Sequence, residues 1–186
     1  YPVTIKRVLF SVYSFAAFLL GMLGGSPFII LYTSFVRSQS RRSLFIHKVI
    51  YYFANFVIHR VPGTTYKVLQ HGTESFQRPA MIICNHQSQL DLMAVLALYP
   101  KITILTKEWV WRNPFYGSLI RASEFYPVTD GLENHIESMK DMVSRGYSIV
   151  VFPEGTRSSA GINRFHKGAF VLAKQLGLDI LPMYIH

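Results

Sequence analysis

Two short polar clusters, each directly after an apolar run, hold the residue types best suited to chemistry. The first is Asn85-His86-Gln87-Ser88-Gln89-Leu90-Asp91, which follows Ala80-Met81-Ile82-Ile83-Cys84. A histidine with a carboxylate partner is a general-base arrangement, because the carboxylate fixes the ring tautomer and stabilises the imidazolium. The five-residue step from His86 to Asp91 does not fall on one helix face. It becomes workable with His86 in the turn after a strand and Asp91 one turn into the next helix. The plainer alternative is a loop histidine and a helix-start aspartate facing the helix dipole. The second cluster is Phe152-Pro153-Glu154-Gly155-Thr156-Arg157-Ser158, after Ser148-Ile149-Val150-Val151. Gly155 permits a tight turn there, and Thr156, Arg157 and Ser158 supply hydrogen-bond donors. Arg157 could grip a phosphate with its bidentate fork, and Arg164 and Lys167 follow closely. Glu154 could hold a substrate hydroxyl or orient Arg157. Taken alone, this segment also reads as an exposed strand-to-helix turn with a surface ion pair.

The elements that must position these clusters alternate in type. Residues 80–84, 102–105, 148–152 and 180–185 read as strands, the first apolar throughout and the third another buried strand, as expected of strands buried on both faces. Residues 66–69 read as a short β-like run and 125–128 as extended chain. Helices are expected over 88–98, 114–121 with Pro114 in its first turn, 134–144 and 168–176. This alternation predicts an α/β fold, a mixed and mostly parallel sheet flanked by helices, with functional groups collecting where strands end.

Residues 8–36 carry no charge and are preceded by Lys6 and Arg7 and followed by Arg37, Arg41 and Arg42. The run exceeds the roughly 20 residues that cross a bilayer core as a helix. Its centre, Gly21-Met22-Leu23-Gly24-Gly25-Ser26-Pro27, suits either one kinked spanning helix or two shorter helices meeting near Gly24 and entering one leaflet. A helix over 44–58 follows, with His47, Tyr51, Asn55 and His59 in a polar stripe and a wide apolar remainder. It suits a membrane interface, packing on the first segment, or an amphipathic place in the core. Its two histidines have no carboxylate or cysteine spaced to join them on a metal. One boundary is expected near 61–64, between membrane-associated N-terminal helices (1–62) and an α/β domain (63–186).

The 186 residues include 19 Lys+Arg against 10 Asp+Glu, a net charge of +9, with 50% hydrophobic residues. That composition excludes collagen, a disordered tail and a disulfide scaffold. The lone Cys84 makes no internal disulfide, so nothing demands an oxidising compartment. A basic chain favours nucleic acid, anionic lipid or phosphorylated substrates. With no nucleic-acid motif and with basic residues beside apolar segments, the lipid partner is expected and nucleic acid is not.

The two clusters together resemble the glycerolipid (lysophospholipid) acyltransferase family, the 1-acylglycerol-3-phosphate acyltransferase or PlsC-like family. Asn85, His86 and Asp91 match its Asn-His-x4-Asp motif, and Glu154 to Arg157 match its Glu-Gly-Thr-Arg motif. Lys107, Pro114-Phe115-Tyr116-Gly117, Phe165-His166-Lys167-Gly168 and Leu181-Pro182 are similar to further family fragments, so the likeness runs over about 64–185. The resemblance implies an O-acyltransferase that moves a fatty acyl group from acyl-CoA or acyl carrier protein to a lysophospholipid hydroxyl, foremost 1-acyl-glycerol-3-phosphate. His86 would be the base and Asp91 its orienting partner. Glu154, Gly155, Thr156 and Arg157, with Lys107 and Lys167, would bind the acceptor and its phosphate. It implies no metal or redox cofactor and no acyl-enzyme, and Cys84, in an apolar strand, is expected to be buried. It also implies a membrane-associated enzyme whose active site faces the cytoplasm. One departure stands out. The family's middle motif, Gly-x-x-Phe-x-x-Arg, is here Ala122 to Val128, with Phe125 kept but Val128 where a phosphate-binding Arg often stands. Either Arg157 with Arg121, Lys107 or Lys167 supplies the charge, or the acceptor is a lyso-aminolipid such as a lyso-ornithine or lyso-glycine lipid.

Overall fold

The computed structural model describes residues 5–60, 65–69, 76, 78–88, 90–114, 117–128, 132–157 and 162–186. Two long helices lead: α1 (Ile5–Phe35) and α2 (Gln39–Arg60). The remainder alternates as β1 (Ala80–Cys84), α3 (Leu90–Leu96), β2 (Ile102–Thr106), α4 (Glu108–Trp111), α5 (Gly117–Ala122), β3 (Tyr126–Pro127), a 3-10 turn (Leu132–His135), α6 (Ile136–Ser144), β4 (Ser148–Val151), α7 (Gly168–Leu176) and β5 (Asp179–Met183).

The strands form one sheet in the order β3-β2-β4-β1-β5. Every described pairing is parallel, with no antiparallel member of the expected mixture. Side chains alternate across the two faces. Ile82, Cys84, Ile102, Ile104 and Val150 pack under α2 and α3. Met81, Ile83, Leu105, Ile149 and Val151 pack against residues of α6 and α7. Strands β1, β2 and β4 are therefore apolar apart from Thr103, Thr106 and Ser148, with a helical layer on each side to bury them.

The expected 66–69 strand is not in the sheet. Tyr66 instead crosses to α3, where its hydroxyl donates to the Ala94 carbonyl at 3.0 Å. The helix expected over 114–121 is shorter. Gly117 begins it and Pro114 lies in the preceding turn, while α4 arises without having been expected. Phe115 and Tyr116 lie outside the described residues, as does the expected boundary at 61–64.

The reading of two short N-terminal helices meeting near Gly24 is overturned, because α1 runs unbroken for 31 residues with Pro27 inside it. Of its glycines, Gly21 serves close packing: a Cβ there would collide with the Phe53 ring of α2. Among the described residues, no helix is long and apolar enough to cross a membrane. Ile29 of α1, Ile46 of α2 and Leu119 of α5 form a small separate core.

Part of the polar stripe on α2 faces the α/β layers. The Asn55 amide donates to the Ala97 carbonyl at 3.1 Å. His47 is buried, and its Nε2–H donates to the Ser123 carbonyl at 2.7 Å, with the Phe125 and Tyr147 rings edge-on. Burial drives the His47 pKa from 6.5 down to about 4, outweighing the Ser123 carbonyl and the Glu124 charge, which pull upward. Above pH 6.5 the ring is neutral in both folded and unfolded chains. As pH falls the unfolded chain binds the proton first, so stability should decline between about pH 6.5 and 4 by about 3 kcal/mol. Thermal melts at pH 7.5 and 5.0 should show this step in the parent chain, and His47→Gln should remove it.

Candidate active site

With all pairings parallel, the C-terminal ends of the strands share one rim. Strands β1 and β4 are neighbours with Ile83 opposite Val151. Continuing that register by three residues sets His86 beside Glu154. Two clusters some seventy residues apart in sequence therefore meet, because a crossover returns β4 alongside β1.

Cluster one folds so that its histidine and aspartate meet. His86 lies in the turn after β1, and Asp91 sits in the first turn of α3. His86 Nδ1 lies 3.0 Å from Asp91 Oδ2. The same oxygen accepts the backbone N–H groups of Gln87 (2.6 Å) and Ser88 (2.7 Å). Burial pushes the Asp91 pKa upward, but the hydrogen bonds from His86, Ser88 and Gln87 prevail and hold the carboxyl below its usual range. An ionised acceptor places the imidazole proton on Nδ1 and leaves Nε2 as the basic nitrogen. The imidazole is 21% exposed and Asp91 only 5%, so the ring reaches solvent while its carboxylate partner does not. Phe152 supports the ring from one face, with centroids 4.5 Å apart.

Asn85 is buried and acts as a clamp. Its Nδ2 donates to the Ile185 carbonyl at 2.8 Å, and the Ile185 N–H donates to its Oδ1 at 2.7 Å. This pair of bonds carries the β1–β5 pairing past its last backbone rung. Cys84 is buried, as expected. Burial, followed by the negative charges of Asp91 and Glu154, pushes its thiol up to about 12, so it stays protonated and is no nucleophile.

In cluster two, Gly155 takes a left-handed φ of 66° that only glycine adopts without strain. A Cβ there would also stand 3.5 Å from the His166 ring. Thr156 and Arg157 are exposed at the rim, and Ser158 lies outside the described residues. Glu154 is different from its neighbours: it is buried, with one oxygen accepting the His86 N–H (2.9 Å) and the other the Asn163 N–H (2.7 Å). The carboxylate is thus turned inward, to the backbone, where a surface residue bonding a hydroxyl or Arg157 was expected.

Lys107 follows β2 on the same rim and is exposed. Lys167 is also exposed and precedes α7; the adjacent His166 N–H donates to the Pro153 carbonyl at 2.9 Å, which folds that segment onto cluster two. Arg121 is engaged elsewhere, its Nη1 donating to the Trp111 carbonyl at 2.7 Å with the guanidinium over the Trp111 ring. Among the described residues, no group of three His, Cys, Asp or Glu could hold a metal ion.

The Acyltransferase family profile matches residues 67–186, well over half of the sequence and both clusters. The chain belongs to the acyltransferase family. The 1-acyl-sn-glycerol-3-phosphate acyltransferase of Cocos nucifera is 34% identical over 122 residues, covering 61% of this chain and 39% of that protein. The chloroplastic enzyme of the same name from Arabidopsis thaliana is 29% identical over 170 residues, covering 87% and 45%. This acyltransferase chain therefore spans less than half the length of these curated relatives. Its fold matches the crystal structure of the 1-acyl-sn-glycerophosphate acyltransferase PlsC from Thermotoga maritima with a TM-score of 0.75 at 21% identity, over 96% of this chain and 73% of that one.

Proposed function

We propose that this acyltransferase transfers a fatty acyl group from a thioester, acyl-CoA or acyl carrier protein, to the free hydroxyl of 1-acyl-glycerol-3-phosphate, giving phosphatidic acid. The observation that carries this reading is the His86–Asp91 pair, joined at 3.0 Å on the strand rim beside the Glu154–Arg157 turn. His86 Nε2 takes the proton as the acceptor oxygen attacks the thioester carbonyl. The C–S bond then breaks, and the imidazolium returns the proton to the departing thiolate. Asp91 holds the tautomer and stabilises the transient cation. The acyl group passes directly to the acceptor, in keeping with the protonated, buried Cys84.

Arg157, Lys107 and Lys167 are the cations proposed for the acceptor phosphate. The position of Lys107 supports its part. Thr106 pairs with Pro127, and the Val128 N–H donates to the Thr106 carbonyl at 2.8 Å. The residue directly after β2 is Lys107, so a cation stands beside the place where Val128 replaces the family's arginine. Val128 itself favours a second reading, a lyso-aminolipid acceptor that needs less positive charge.

We further propose membrane association. Tyr13, Leu20, Phe28, Leu31 and Phe35 of α1 and Tyr52 and Phe56 of α2 are exposed, with Arg37, Arg41, Lys48 and Arg60 exposed beside them. An apolar surface with basic residues at its margins suits an anionic lipid interface, the site facing the cytoplasm where acyl-CoA is found.

An acceptor screen with labelled acyl-CoA tests the reading. Lysophosphatidate should be acylated in preference to lyso-ornithine or lyso-glycine lipids, and the reverse order would select the second reading. Arg157→Ala should raise the lysophosphatidate KM by about 10- to 100-fold, the worth of one charge-assisted hydrogen bond. An unchanged KM would remove Arg157 from the phosphate site.

A further inference from the structure

Glu154 is the one acid of the second cluster, yet the rim does not present it. Its side chain is buried, and each carboxylate oxygen accepts one backbone N–H, from His86 at 2.9 Å and from Asn163 at 2.7 Å. These donors lie 68 and 9 residues away in sequence, on different sides of the site. The His86 bond fixes the main chain from which the base projects. The Asn163 bond fixes the start of the segment that leads through Arg164 and His166 to Lys167. That segment is held a second time where the His166 N–H meets the Pro153 carbonyl, one residue before Glu154.

We propose that Glu154 is a positioning residue: its carboxylate bridges the catalytic turn and the 162–167 segment, sets where His86 stands, and does not touch the acceptor. This rests on the acyltransferase reading for its kinetic consequences, though the bridge itself does not. A carboxylate is suited to the task because it offers two acceptor oxygens and no donor. Three restraints then converge on His86: Asp91 on Nδ1, the Phe152 ring on its face, and Glu154 on its backbone. Two of the three come from Phe152 and Glu154, two residues apart in one turn, so a shift at Glu154 moves the base relative to the bound acceptor. Displacing a reacting group by about 1 Å costs on the order of 100-fold in rate.

The test is a set of variants assayed in membranes with saturating acyl-CoA and varied lysophosphatidate. Glu154→Gln keeps the size but turns an amide NH2 toward one of the two backbone donors. It should lower kcat by about 10- to 100-fold and leave the acceptor KM within about threefold. Glu154→Asp keeps the charge but is one methylene too short to reach both amides, so it too should lose kcat. Asn163→Ala, which keeps the backbone N–H, should stay within about twofold of the parent. A Glu154→Gln variant with parental kcat and a KM raised tenfold or more would overturn the proposal, because the carboxylate would then be contacting the acceptor. Parental kcat in Glu154→Asp would overturn it as well, and that variant decides the matter if Glu154→Gln does not fold. Should the parent chain transfer no acyl group to any acceptor, the functional reading fails and the bridge is still testable by hydrogen exchange. Peptides covering His86 and Asn163 should lose protection together in Glu154→Asp while β1 and β4 keep theirs. Unchanged protection at both would refute the bridge.

Discussion

Replacing His86 with alanine should lower kcat/KM for acyl transfer by about 10²- to 10⁴-fold, the span a positioned general base contributes. The loss should fall on kcat, since the proton moves only in the transition state. The folded protein should be little affected. His86 is partly exposed, its imidazole is not part of the core, and its backbone N–H can still donate to Glu154. Circular dichroism and the melting temperature should therefore match the parent while acyl transfer from labelled acyl-CoA disappears. Full activity in a folded variant would sink the mechanism.

Asp91→Ala should cost both activity and stability, and comparison with Asp91→Asn separates the two. In the alanine variant, His86 Nδ1–H loses its acceptor, and so do the Gln87 and Ser88 amides, which all converge on Oδ2. Gln87 and Ser88 are exposed, so water takes up part of what their amides lose, and a net loss of about 1–2 kcal/mol with a fall in Tm of about 5 °C is expected. Activity should drop about 10³-fold, because the ring loses both its tautomer lock and the charge that stabilises its cationic form. Asparagine offers one oxygen to the backbone donors and should regain most of the stability. It cannot stabilise the imidazolium, so its kcat should stay at least about 100-fold down. The pH dependence has a definite sign. Because folding lowers the Asp91 pKa, its contribution is present above the unfolded carboxyl pKa and is lost as pH falls through the lower folded value. Acid melts of Asp91→Asn should lack that component.

Much of the site was legible because it follows local rules. An apolar strand ending in Asn-His, with an aspartate one helical turn into the next element, fixes the His86–Asp91 contact within seven residues. The parallel sheet was legible from strands such as 80–84, apolar at every position, and 148–151, apolar after Ser148, and from the helices between them. What escaped was long-range. Nothing within a few residues of Asn85 indicates that its amide will close on Ile185, or that Glu154 will turn inward to His86 and Asn163. The only signal was indirect: both are polar residues just past buried strands, where an unpaired polar group is costly and a partner must exist. Residues 66–69 failed for the opposite reason. Their local pattern suits a strand, but the edge places beside β1 and β2 are taken by β5 and β3. The α2 stripe misled in direction alone, because His47 and Asn55 are polar in order to meet carbonyls of Ser123 and Ala97.

The Asn85 clamp has a consequence for the order in which the enzyme is made. Its two bonds join residues 100 positions apart, and the Glu154 bond to His86 closes a span of 68. A chain emerging from the ribosome can form the His86–Asp91 pair early, since both partners lie on one short stretch. It cannot anchor the turn that bears that pair until β4 has been delivered, and cannot clamp it until Ile185 has followed. Closing such long loops is entropically slow, and parallel pairing defers it further. The anchored form of this turn is therefore a late acquisition in the life of the nascent chain, and a partly synthesised chain holds His86 and Asp91 together before the rest of the rim can fix them in place.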